Sequence, residues 1–399
     1  MAKINPEIET IARIKVVGVG GSGRNALNHM INSKVDGVEF ICMNTDTQDL
    51  HNSLASKKIH IGRNLTRGRG TGMNPESGRE AAEETKAEIQ EVLKGADIVF
   101  VACGMGGGTG TGAAPIIANI AREQGALTIG VVTRPFSFEG QQRTRIAEGG
   151  ISELEKSVDA LMTVPNDRLL TITSKDTTFK DAFAMSDEIL RQAVEGISEL
   201  ITSGGVINID FADIKAVMES AGSAFMGIGI ATGENRAEEA AYMAIQSPLL
   251  DTTISGAKGL LFAISSGEDL TMHEADQIAK VVTDSVDPEA KIFFGRIIDE
   301  KLKKGEIKVT VIATGFAANQ RKAPTAQSLF IQRAVQQKSN VFGFSGSTSD
   351  NSEGENTQEL TQHTIHQQSP QITPKVVEEI DDEDEDWSIP AFLRSNKKK

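Results

Sequence analysis

The strongest chemical signature in this chain is the segment GGGTGTG, Gly106 to Gly112, which follows an apolar run and precedes a helix-like run. Consecutive glycines let several backbone N–H groups point into one concavity, and the N-terminus of the next helix adds a partial positive charge. The hydroxyls of Thr109 and Thr111 add two further hydrogen-bond donors. The segment therefore predicts a loop that binds an anion such as a phosphate group.

A second glycine loop, GVGGSGRN from Gly18 to Asn25, closes the first predicted strand and has the G-x-G-x-x-G spacing of dinucleotide-binding loops. Asp46 follows the second predicted strand, where a ribose-binding acid would lie. Taken alone, these glycines are also typical of tight strand–helix packing. Two such loops on one sheet can enclose two or three phosphates, whereas a single loop suits the pyrophosphate of NAD.

The sequence has no G-x-x-x-x-G-K-[ST] motif, so the phosphate charge has to be met without its lysine. Amide dipoles, a metal ion and Arg143 are the groups that remain for this role. Glu139 and Arg143 lie four residues apart and would share one helix face. That spacing is equally typical of an ion pair on the surface.

A third group of residues lies in NIDFADI, where Asp210 and Asp213 are one helical turn apart. If a helix begins at Phe211, both carboxylates lie on one face of it. Such a pair can polarise a water molecule, or it can cap the helix as an N-cap acid and a first-turn acid. The spacing alone leaves both interpretations open.

Alternating strands and helices between Ile14 and Val164 must position these groups. The predicted strands are Ile14–Val17, Val38–Met43, Ile59–Ile61, Ile98–Ala102, Leu127–Val132 and Ala160–Val164. The predicted helices are Asn25–Ile31, Ser77–Leu93, Ala113–Arg122 and Arg143–Lys156. This alternation predicts an α/β fold with a doubly wound, Rossmann-like sheet that has helices on both faces. Both glycine loops then lie at the carboxyl ends of strands, where such sheets bind ligands.

A long central helix and a second, smaller α/β domain follow. Apolar residues recur at three- and four-residue steps from Thr178 to Ser203, and two glycines end the run. The second block has predicted strands near Ala224–Ala231, Leu260–Ile264, Lys291–Phe294 and Val309–Ala313. Its predicted helices lie near Ala237–Ile245 and Met272–Val282.

The remainder of the chain has a different composition. Residues 319–373 are rich in Gln, Ser, Thr and Asn, which predicts a disordered linker over 319–380. Residues 381–399 contain an acidic run, the apolar segment WSIPAFLR and three lysines. This tail is either a disordered end or a short peptide that folds into the groove of a partner protein. Its predicted partner-binding residues are Trp387, Ile389, Pro390, Phe392 and Leu393.

Composition narrows the class of protein. The 399 residues carry a formal net charge of −14, which argues against a general nucleic-acid binder. No apolar stretch reaches the roughly 18 residues of a membrane span, and the first ten residues lack the apolar core of a signal peptide. Cys42 and Cys103 lie in apolar strands and are expected to be buried thiols in a reducing compartment. The histidines have no metal-ligand spacing. We therefore expect a cytoplasmic protein.

Seven segments occur in the order and spacing of one known family: GVGGSGRNAL, NTDTQDL, GRGTGMNPE, GMGGGTGTGAAP, VVTRPFSFEG, NIDFADI and SIPAFLR. The chain resembles the tubulin/FtsZ family of GTPases from Ile14 to about Phe316, and again in the tail. The resemblance implies a GTP-binding domain over 1–177, a central helix over 178–203 and a C-terminal GTPase-activating domain over 204–318. The family often has Gly at the position of Ser22 and Gly or Asn at that of Arg24, so nucleotide exchange can differ here.

The resemblance implies that GTP is bound and hydrolysed to GDP. It implies Mg²⁺ held mainly through the phosphates rather than by protein ligands, and it leaves the role of a monovalent cation open. Glu139 would face the ribose, Asn166 and Asp187 would read the guanine edge, and Phe183 would either stack on the base or belong to the core. The implied nucleotide-binding residues are Gly20, Gly21, Ser22, Gly23, Arg24, Asn25, Gly72, Gly107, Gly108, Thr109, Gly110, Thr133, Glu139, Arg143, Asn166, Phe183 and Asp187.

The resemblance also implies that Asp210 and Asp213 polarise the attacking water, with Asn208 orienting their loop. If Asp187 contacts the guanine, the helix from Asp187 to Ser203 places these acids about 24 Å away, too far for the nucleotide of the same chain. They would complete the site of the next subunit, and such a head-to-tail contact without rotational closure makes an open filament. The implied role is a filament of the cytokinetic ring at mid-cell, tethered through the tail by membrane-binding division proteins.

The sequence leaves two other functions open. The first is an NAD-dependent oxidoreductase, supported by the first glycine loop and Asp46. The second is a non-catalytic, nucleotide-gated scaffold of the same family. The second glycine loop and the distant acids argue against the oxidoreductase.

Overall fold

The computed structural model describes residues 12–172, 177–202, 204–246, 254–299 and 302–316. The described residues all belong to one compact unit. The predicted linker (319–380) and tail (381–399), with the predicted partner-binding residues, lie outside the described part of the chain.

The first half contains a parallel sheet. Its strands are β1 (Ile14–Val19), β2 (Val38–Asn44), β3 (Lys57–His60), β4 (Ile98–Gly104), β5 (Leu127–Arg134) and β6 (Ala160–Pro165). They pair in the order 3-2-1-4-5-6, which is the strand order of dinucleotide-binding sheets. Every residue of β1 is buried, because helices cover both faces of the sheet. This arrangement confirms the doubly wound fold that was predicted.

Nine α-helices accompany these strands in the described residues up to 202. They are α1 (Gly20–Asn32), α2 (Thr47–His51), α3 (Arg63–Thr66), α4 (Pro75–Glu84), α5 (Lys86–Leu93), α6 (Gly108–Glu123), α7 (Gln141–Ser157), α8 (Asn166–Ile172) and α9 (Phe179–Thr202). One core contains apolar residues of α1 and α9, including Leu27 and Leu190. A second core contains apolar residues of α4 to α7, including Ala114 and Ile117, against the other face of the sheet.

The helix predicted over Ser77–Leu93 is two helices, so that prediction was wrong. The break falls at Thr85, where φ is −103° and ψ is 15°. Its hydroxyl donates to the carbonyl of Ala81 at 3.1 Å and accepts the N–H of Gly62 at 3.0 Å. A threonine that bonds to the backbone in this way competes with the helical pattern, and the apolar periodicity gives no sign of it.

The long helix α9 forms as predicted, and its apolar stripe packs on the sheet except at the start. Phe179 is 71% exposed and Phe183 is 44% exposed, although the periodicity assigns both to the apolar stripe. Phe183 meets Phe136 edge-on, with ring centroids 5.2 Å apart. The first turns of α9 therefore leave aromatic surface at the edge of the sheet instead of burying it.

The second half extends the sheet. Its elements are β7 (Gly205–Ile207), α10 (Phe211–Met218), β8 (Gly222–Thr232), α11 (Arg236–Ile245), β9 (Gly259–Ser266), α12 (Met272–Thr283), β10 (Lys291–Ile298) and β11 (Glu306–Thr314). The order continues from β6 as 8-11-9-10-7, with both parallel and antiparallel neighbours. The short edge strand β7 was not predicted from the sequence.

The two halves share one hydrogen-bonded sheet, which the sequence did not indicate. The link is a short parallel pairing of β6 with β8, in which Ala160 faces Gly222 and Leu161 faces Ser223. A separate core of α11, α12 and their strands supports the second half. The domain boundaries inferred above, at 177 and 203, stay a proposal.

The two cysteines are free, buried thiols, as expected. Burial raises the pKa of Cys42, and it raises the pKa of Cys103 to about 12. Both therefore act as small apolar side chains. Among the helices that the structure describes, none is both long enough and apolar enough to cross a membrane.

Candidate nucleotide-binding site

The two glycine loops form one surface. They follow β1 and β4, which are neighbours in the sheet. Gly20 has φ +71°, and a Cβ on it would lie 3.2 Å from the backbone nitrogen of Gly110. Only a residue without a side chain takes this conformation at this approach without strain. The two loops therefore lie side by side as predicted, and this close approach depends on the glycine at position 20.

The second loop leaves the start of a long helix open. Gly107 is the N-cap residue of α6, and no side chain caps this end. A Cβ on Gly107 would meet nothing within 4 Å, so the residue borders open space. The first N–H groups of an α-helix lack partners within the helix and favour an anion. This geometry suits a phosphate group.

Three threonine hydroxyls meet beside this helix start. The Oγ1 of Thr109 lies 2.8 Å from that of Thr45 and 3.3 Å from that of Thr71. Thr111 has a different role from the one expected, because its buried hydroxyl accepts the N–H of Gly106 at 2.9 Å and so fixes the loop. Thr45 was missed by sequence reasoning, since no local pattern connects it with Thr109.

The segment from Gly70 to Glu76 lies against the second loop. A Cβ on Gly108 would be 2.7 Å from the backbone nitrogen of Asn74. Gly72 is exposed, has φ +57° and would meet nothing within 4 Å with a Cβ. This segment, with the predicted nucleotide-binding residue Gly72, thus lies directly beside the second loop.

A groove that is open to solvent and encloses about 580 Å³ of empty space runs beside the loops. It brings together predicted residues from five separate parts of the chain with four that sequence reasoning missed. The predicted residues in its lining are Ser22, Asn25, Thr133, Glu139, Arg143, Asn166, Phe183 and Asp187. The additional residues are Gly104, Met105, Pro135 and Ser186.

Glu139 and Arg143 lie on one wall of the groove. The Glu139 carboxylate accepts the N–H of Phe136 at 2.8 Å and lies 3.1 Å from the Arg143 guanidinium. The Arg143 side chain also packs near Gly106, at the turn into the second loop. Its buried Nε has no hydrogen-bond partner among the described atoms. The ion pair forms as expected, but the two residues do not share a helix, because Glu139 ends a 3-10 turn (Ser137–Glu139) and Arg143 lies in α7. The pair is placed where it can also meet a sugar and a phosphate.

Asp187 and Asn166 lie together in the groove. Burial raises the pKa of Asp187 to about 6, and the charges of His29 and Arg24 oppose that rise. Asn166 is buried, and its Oδ1 accepts the Ser186 hydroxyl at 2.9 Å. An ionised carboxylate only accepts, which suits the N1–H and 2-amino donors of guanine. Phe183 lines the groove and is 44% exposed, so it is not a buried core residue.

Arg24 is placed differently from the nucleotide-binding prediction. It is absent from the described lining of the groove, and its guanidinium pairs with Asp49 at 2.6 Å. Asn44 donates to the same carboxylate at 2.5 Å. Arg24 therefore holds α1 to α2 and acts on the groove through its charge.

Asp46 does not occupy a ribose-binding position. It is the N-cap of α2, and its Oδ1 accepts the N–H groups of Gln48 at 2.9 Å and Asp49 at 3.3 Å. The residue that supported an NAD-dependent oxidoreductase thus has a structural role. The geometry does not favour that alternative.

The two acids of NIDFADI form a reciprocal capping box at the start of α10, which begins at Phe211 as expected. The N–H of Asp213 donates to Asp210 at 2.8 Å, and the N–H of Asp210 donates to Asp213 at 3.2 Å. Asn208 accepts the N–H of Gly205 at 2.6 Å. The capping interpretation is confirmed, and each hydrogen bond of the box uses one oxygen of a carboxylate.

These acids lie toward the amino ends of the parallel strands, whereas the glycine loops lie at the carboxyl ends. Near the end of α9, Ser198 donates to the carbonyl of Asp36 at 3.3 Å, and Thr202 packs against Gly37. Gly37 immediately precedes β2, so this contact is at the amino ends of the parallel strands. The glycine loops are at the carboxyl ends. The 15 residues from Asp187 to Thr202 add about 23 Å of helix between the two places.

The side chains beside the loops bear on whether a phosphate-bound magnesium ion fits this site. Within the described ranges, no three His, Cys, Asp or Glu side chains group as metal ligands. Mg²⁺ commonly combines few protein ligands with substrate phosphates and water, and the three threonine hydroxyls are oxygen donors of that kind. The residues present therefore fit a phosphate-bound Mg²⁺.

Two glycine loops at the carboxyl edge of a 3-2-1-4-5-6 sheet define a nucleotide-binding α/β protein. Comparison with known proteins shows which family of nucleotide-binding proteins this is. Residues 13–174 match the Tubulin/FtsZ family, GTPase domain, and residues 222–317 match the FtsZ family, C-terminal domain.

Solved structures agree with these matches. The chain is 44% identical to an FtsZ described as an empty dimer from M. jannaschii, over 78% of this chain and 90% of that one, with a TM-score of 0.72. A mutant FtsZ from M. jannaschii is 45% identical over 76% and 91%, also with a TM-score of 0.72. CetZ2 from Haloferax volcanii is similar in fold alone, at 20% identity over 81% and 98% and a TM-score of 0.65. The chain belongs to the FtsZ branch of the tubulin/FtsZ family and is a GTPase of that family.

Proposed function

We propose that this GTPase polymerises head to tail and that each GTP is hydrolysed at a joint between two subunits. The observation that carries the proposal is the placement of the glycine loops and the Asp210–Asp213 pair at opposite edges of the sheet. A second copy stacked in the same orientation would bring its acids to the phosphate end of the first copy's groove. A heterologous contact of this kind repeats without limit and makes a filament.

In this proposal the nucleotide spans the groove and the loops. Asn166, Asp187 and Phe183 hold the guanine, and Glu139 and Arg143 meet the ribose and phosphates. The backbone of both loops, with Thr109, holds the phosphates together with Mg²⁺. Gly72 lies in the segment that covers the phosphates, and loss of the γ-phosphate would release that cover and weaken the joint.

Hydrolysis requires an activated water as well as bound phosphate. Asp210 and Asp213 of the adjacent subunit would polarise this water, because one oxygen of each carboxylate takes part in the capping box and the other is left for it. Asn208 holds the preceding turn, and Ile209 anchors the loop in the core. One copy of the chain then binds the nucleotide and the adjacent copy activates the water. Hydrolysis therefore requires assembly.

The filaments would form the cytokinetic ring at mid-cell, in the cytoplasm, as the family resemblance implies. GTP hydrolysis would set the lifetime of each joint and so the rate of disassembly. A monovalent cation at the joint stays an open part of the proposal.

Mixing two inactive variants tests the shared site. Gly107→Asp should fold, because the position borders open space and Asp is a favourable N-cap, but its carboxylate would exclude phosphate from the helix start. Asp210→Asn keeps an N-cap and removes the charge. In an equimolar mixture, about one joint in four joins an intact loop to an intact acid pair. We expect phosphate release to recover to a similar fraction of the wild-type rate.

Each variant alone, at the same total concentration, is the control for this mixture. The rate should also vanish on dilution below the assembly range, where joints are absent. Activity of the mixture that never exceeds the two separate activities, under conditions where both assemble, would contradict a site shared between subunits.

We further propose that the tail recruits membrane-tethering division proteins. Its support is sequence alone: an apolar segment with Trp387, Ile389, Pro390, Phe392 and Leu393 between an acidic run and three lysines. Trp387 is the single tryptophan of the chain, so its fluorescence reports docking directly.

Docking of the tail into an apolar groove should shift the Trp387 emission to shorter wavelength, since a buried aromatic loses about 150–250 Å² of contact with water. Phe392→Ala should weaken that docking and leave GTP hydrolysis and assembly unchanged. A Phe392→Ala protein that no longer hydrolyses GTP would show that the tail is not a separate module.

A further inference from the structure

A buried serine contacts one of the two polar residues at the base end of the groove. Ser186 is 4% exposed, and its Oγ donates to Oδ1 of Asn166 at 2.9 Å. Asn166 is also 4% exposed, and both residues line the groove. Asn166 begins α8, whereas Ser186 lies two turns into α9. The hydrogen bond therefore joins two helices at the site.

In the structure, this contact leaves the Nδ2 end of the Asn166 amide available to a ligand. An amide has an oxygen that only accepts and an NH₂ group that only donates. Because Oδ1 is engaged by Ser186, the amide offers its Nδ2 protons to the groove. Asp187, the next residue on α9, offers an ionised carboxylate that only accepts. The site thus has a donor and an acceptor in fixed places.

We infer that Ser186 is a positioning residue for base selection, and that it favours guanine by holding Asn166 as a donor to O6. Guanine has an acceptor at O6 and donors at N1 and the 2-amino group, so it matches this pair. Adenine has a donor at N6 and an acceptor at N1, so both contacts would oppose like groups. The inference rests on the proposed placement of the guanine in this groove.

Loss of the serine hydroxyl should release the amide. Asn166 could then turn over and present either its NH₂ group or its oxygen to the base. Only the first orientation donates a hydrogen bond to O6, so the preference for an acceptor at position 6 should weaken. The effect should be confined to position 6 of the purine, because Asp187 would still face N1 and the 2-amino group.

Ser186→Ala tests this directly, and alanine preserves the helix because it has the highest helix propensity. Equilibrium binding of GTP is compared with that of two analogues. In 6-thio-GTP a sulfur, which is a weak acceptor, replaces O6, and ITP lacks only the 2-amino group. We expect the preference for GTP over 6-thio-GTP to fall about fivefold and the preference for GTP over ITP to stay unchanged.

Ser198→Ala is the matched control. Ser198 is a buried serine of the same helix, 1% exposed, whose hydroxyl donates to the carbonyl of Asp36 far from the groove. It should change neither preference. A second test is a double-mutant cycle, in which Ser186→Ala should have no further effect on GTP affinity once Asn166 is replaced by alanine.

The outcomes separate this inference from the proposed function. If Asn166→Ala weakens GTP binding but Ser186→Ala changes neither preference, the positioning role is wrong and the guanine site stands. If Ser186→Ala lowers affinity for all three nucleotides equally, the serine has only a structural role. If neither variant changes GTP binding, the groove does not hold the guanine and both proposals fail.

Discussion

The Asp213→Asn protein should bind GTP like the wild type and hydrolyse it about a hundredfold more slowly or worse, which is the usual contribution of a group that activates water. The structure favours asparagine over alanine for this test. Asp213 accepts the N–H of Asp210 in the capping box, and the amide oxygen of asparagine can keep this hydrogen bond. Helix α10 should therefore stay intact while the negative charge is lost. Binding of a fluorescent GTP analogue and phosphate release are the two measurements.

Glu219→Gln is the control for the charge change. Glu219 lies at the other end of α10 and pairs with Lys215 at 3.7 Å on the surface. Its neutralisation should leave the hydrolysis rate as it is. Filaments of Asp213→Asn should form with GTP and persist, because the joints keep their γ-phosphate. A wild-type rate in Asp213→Asn would exclude this residue from the reaction.

The parallel sheet and its phosphate loops were accessible from the sequence because their signals are local. A buried strand is a short apolar run, and a tight turn into a helix requires glycine at fixed positions. Gly20 and Gly107 could thus be assigned from their neighbours in the chain. The start of α10 at Phe211 was accessible for the same reason, since a capping box spans only four residues.

Contacts between distant residues were not accessible. Thr45 and Thr109 are 64 residues apart, and their hydroxyls meet only because β2 and β4 flank β1. Arg24 was predicted to bind the nucleotide because of its place in the loop, yet it pairs with Asp49 on the next helix. A single sequence does not show which partner a charged side chain selects.

The edge strand β7 and the break at Thr85 depend on the tertiary structure. β7 is three residues long and exists through its pairing with β10, nearly ninety residues later by numbering. Thr85 interrupts a good amphipathic pattern through a hydrogen bond to Gly62 in another segment. In both places a long-range hydrogen bond overrides the local preference.

Asp187 should determine which base the protein accepts. The wild-type carboxylate can accept from both N1–H and the 2-amino group of guanine. Asparagine presents one acceptor and one donor, which matches xanthine, whose 2-position carries an oxygen. We expect Asp187→Asn to bind GTP about a hundredfold more weakly and to prefer XTP over GTP, because each mismatched buried contact leaves a polar group unpaired.

The pH dependence of binding gives an independent test of the same contact. Burial raises the pKa of Asp187 to about 6, and the two guanine donors require the ionised form. Affinity for GTP should therefore be complete about one pH unit above this pKa and fall as the pH drops through it, by up to about tenfold per unit. Protonation of the phosphates affects wild type and Asp187→Asn alike, so the ratio of their affinities isolates the carboxylate. That ratio should shrink toward acid pH. A constant ratio, or a variant that still prefers GTP, would place the base elsewhere.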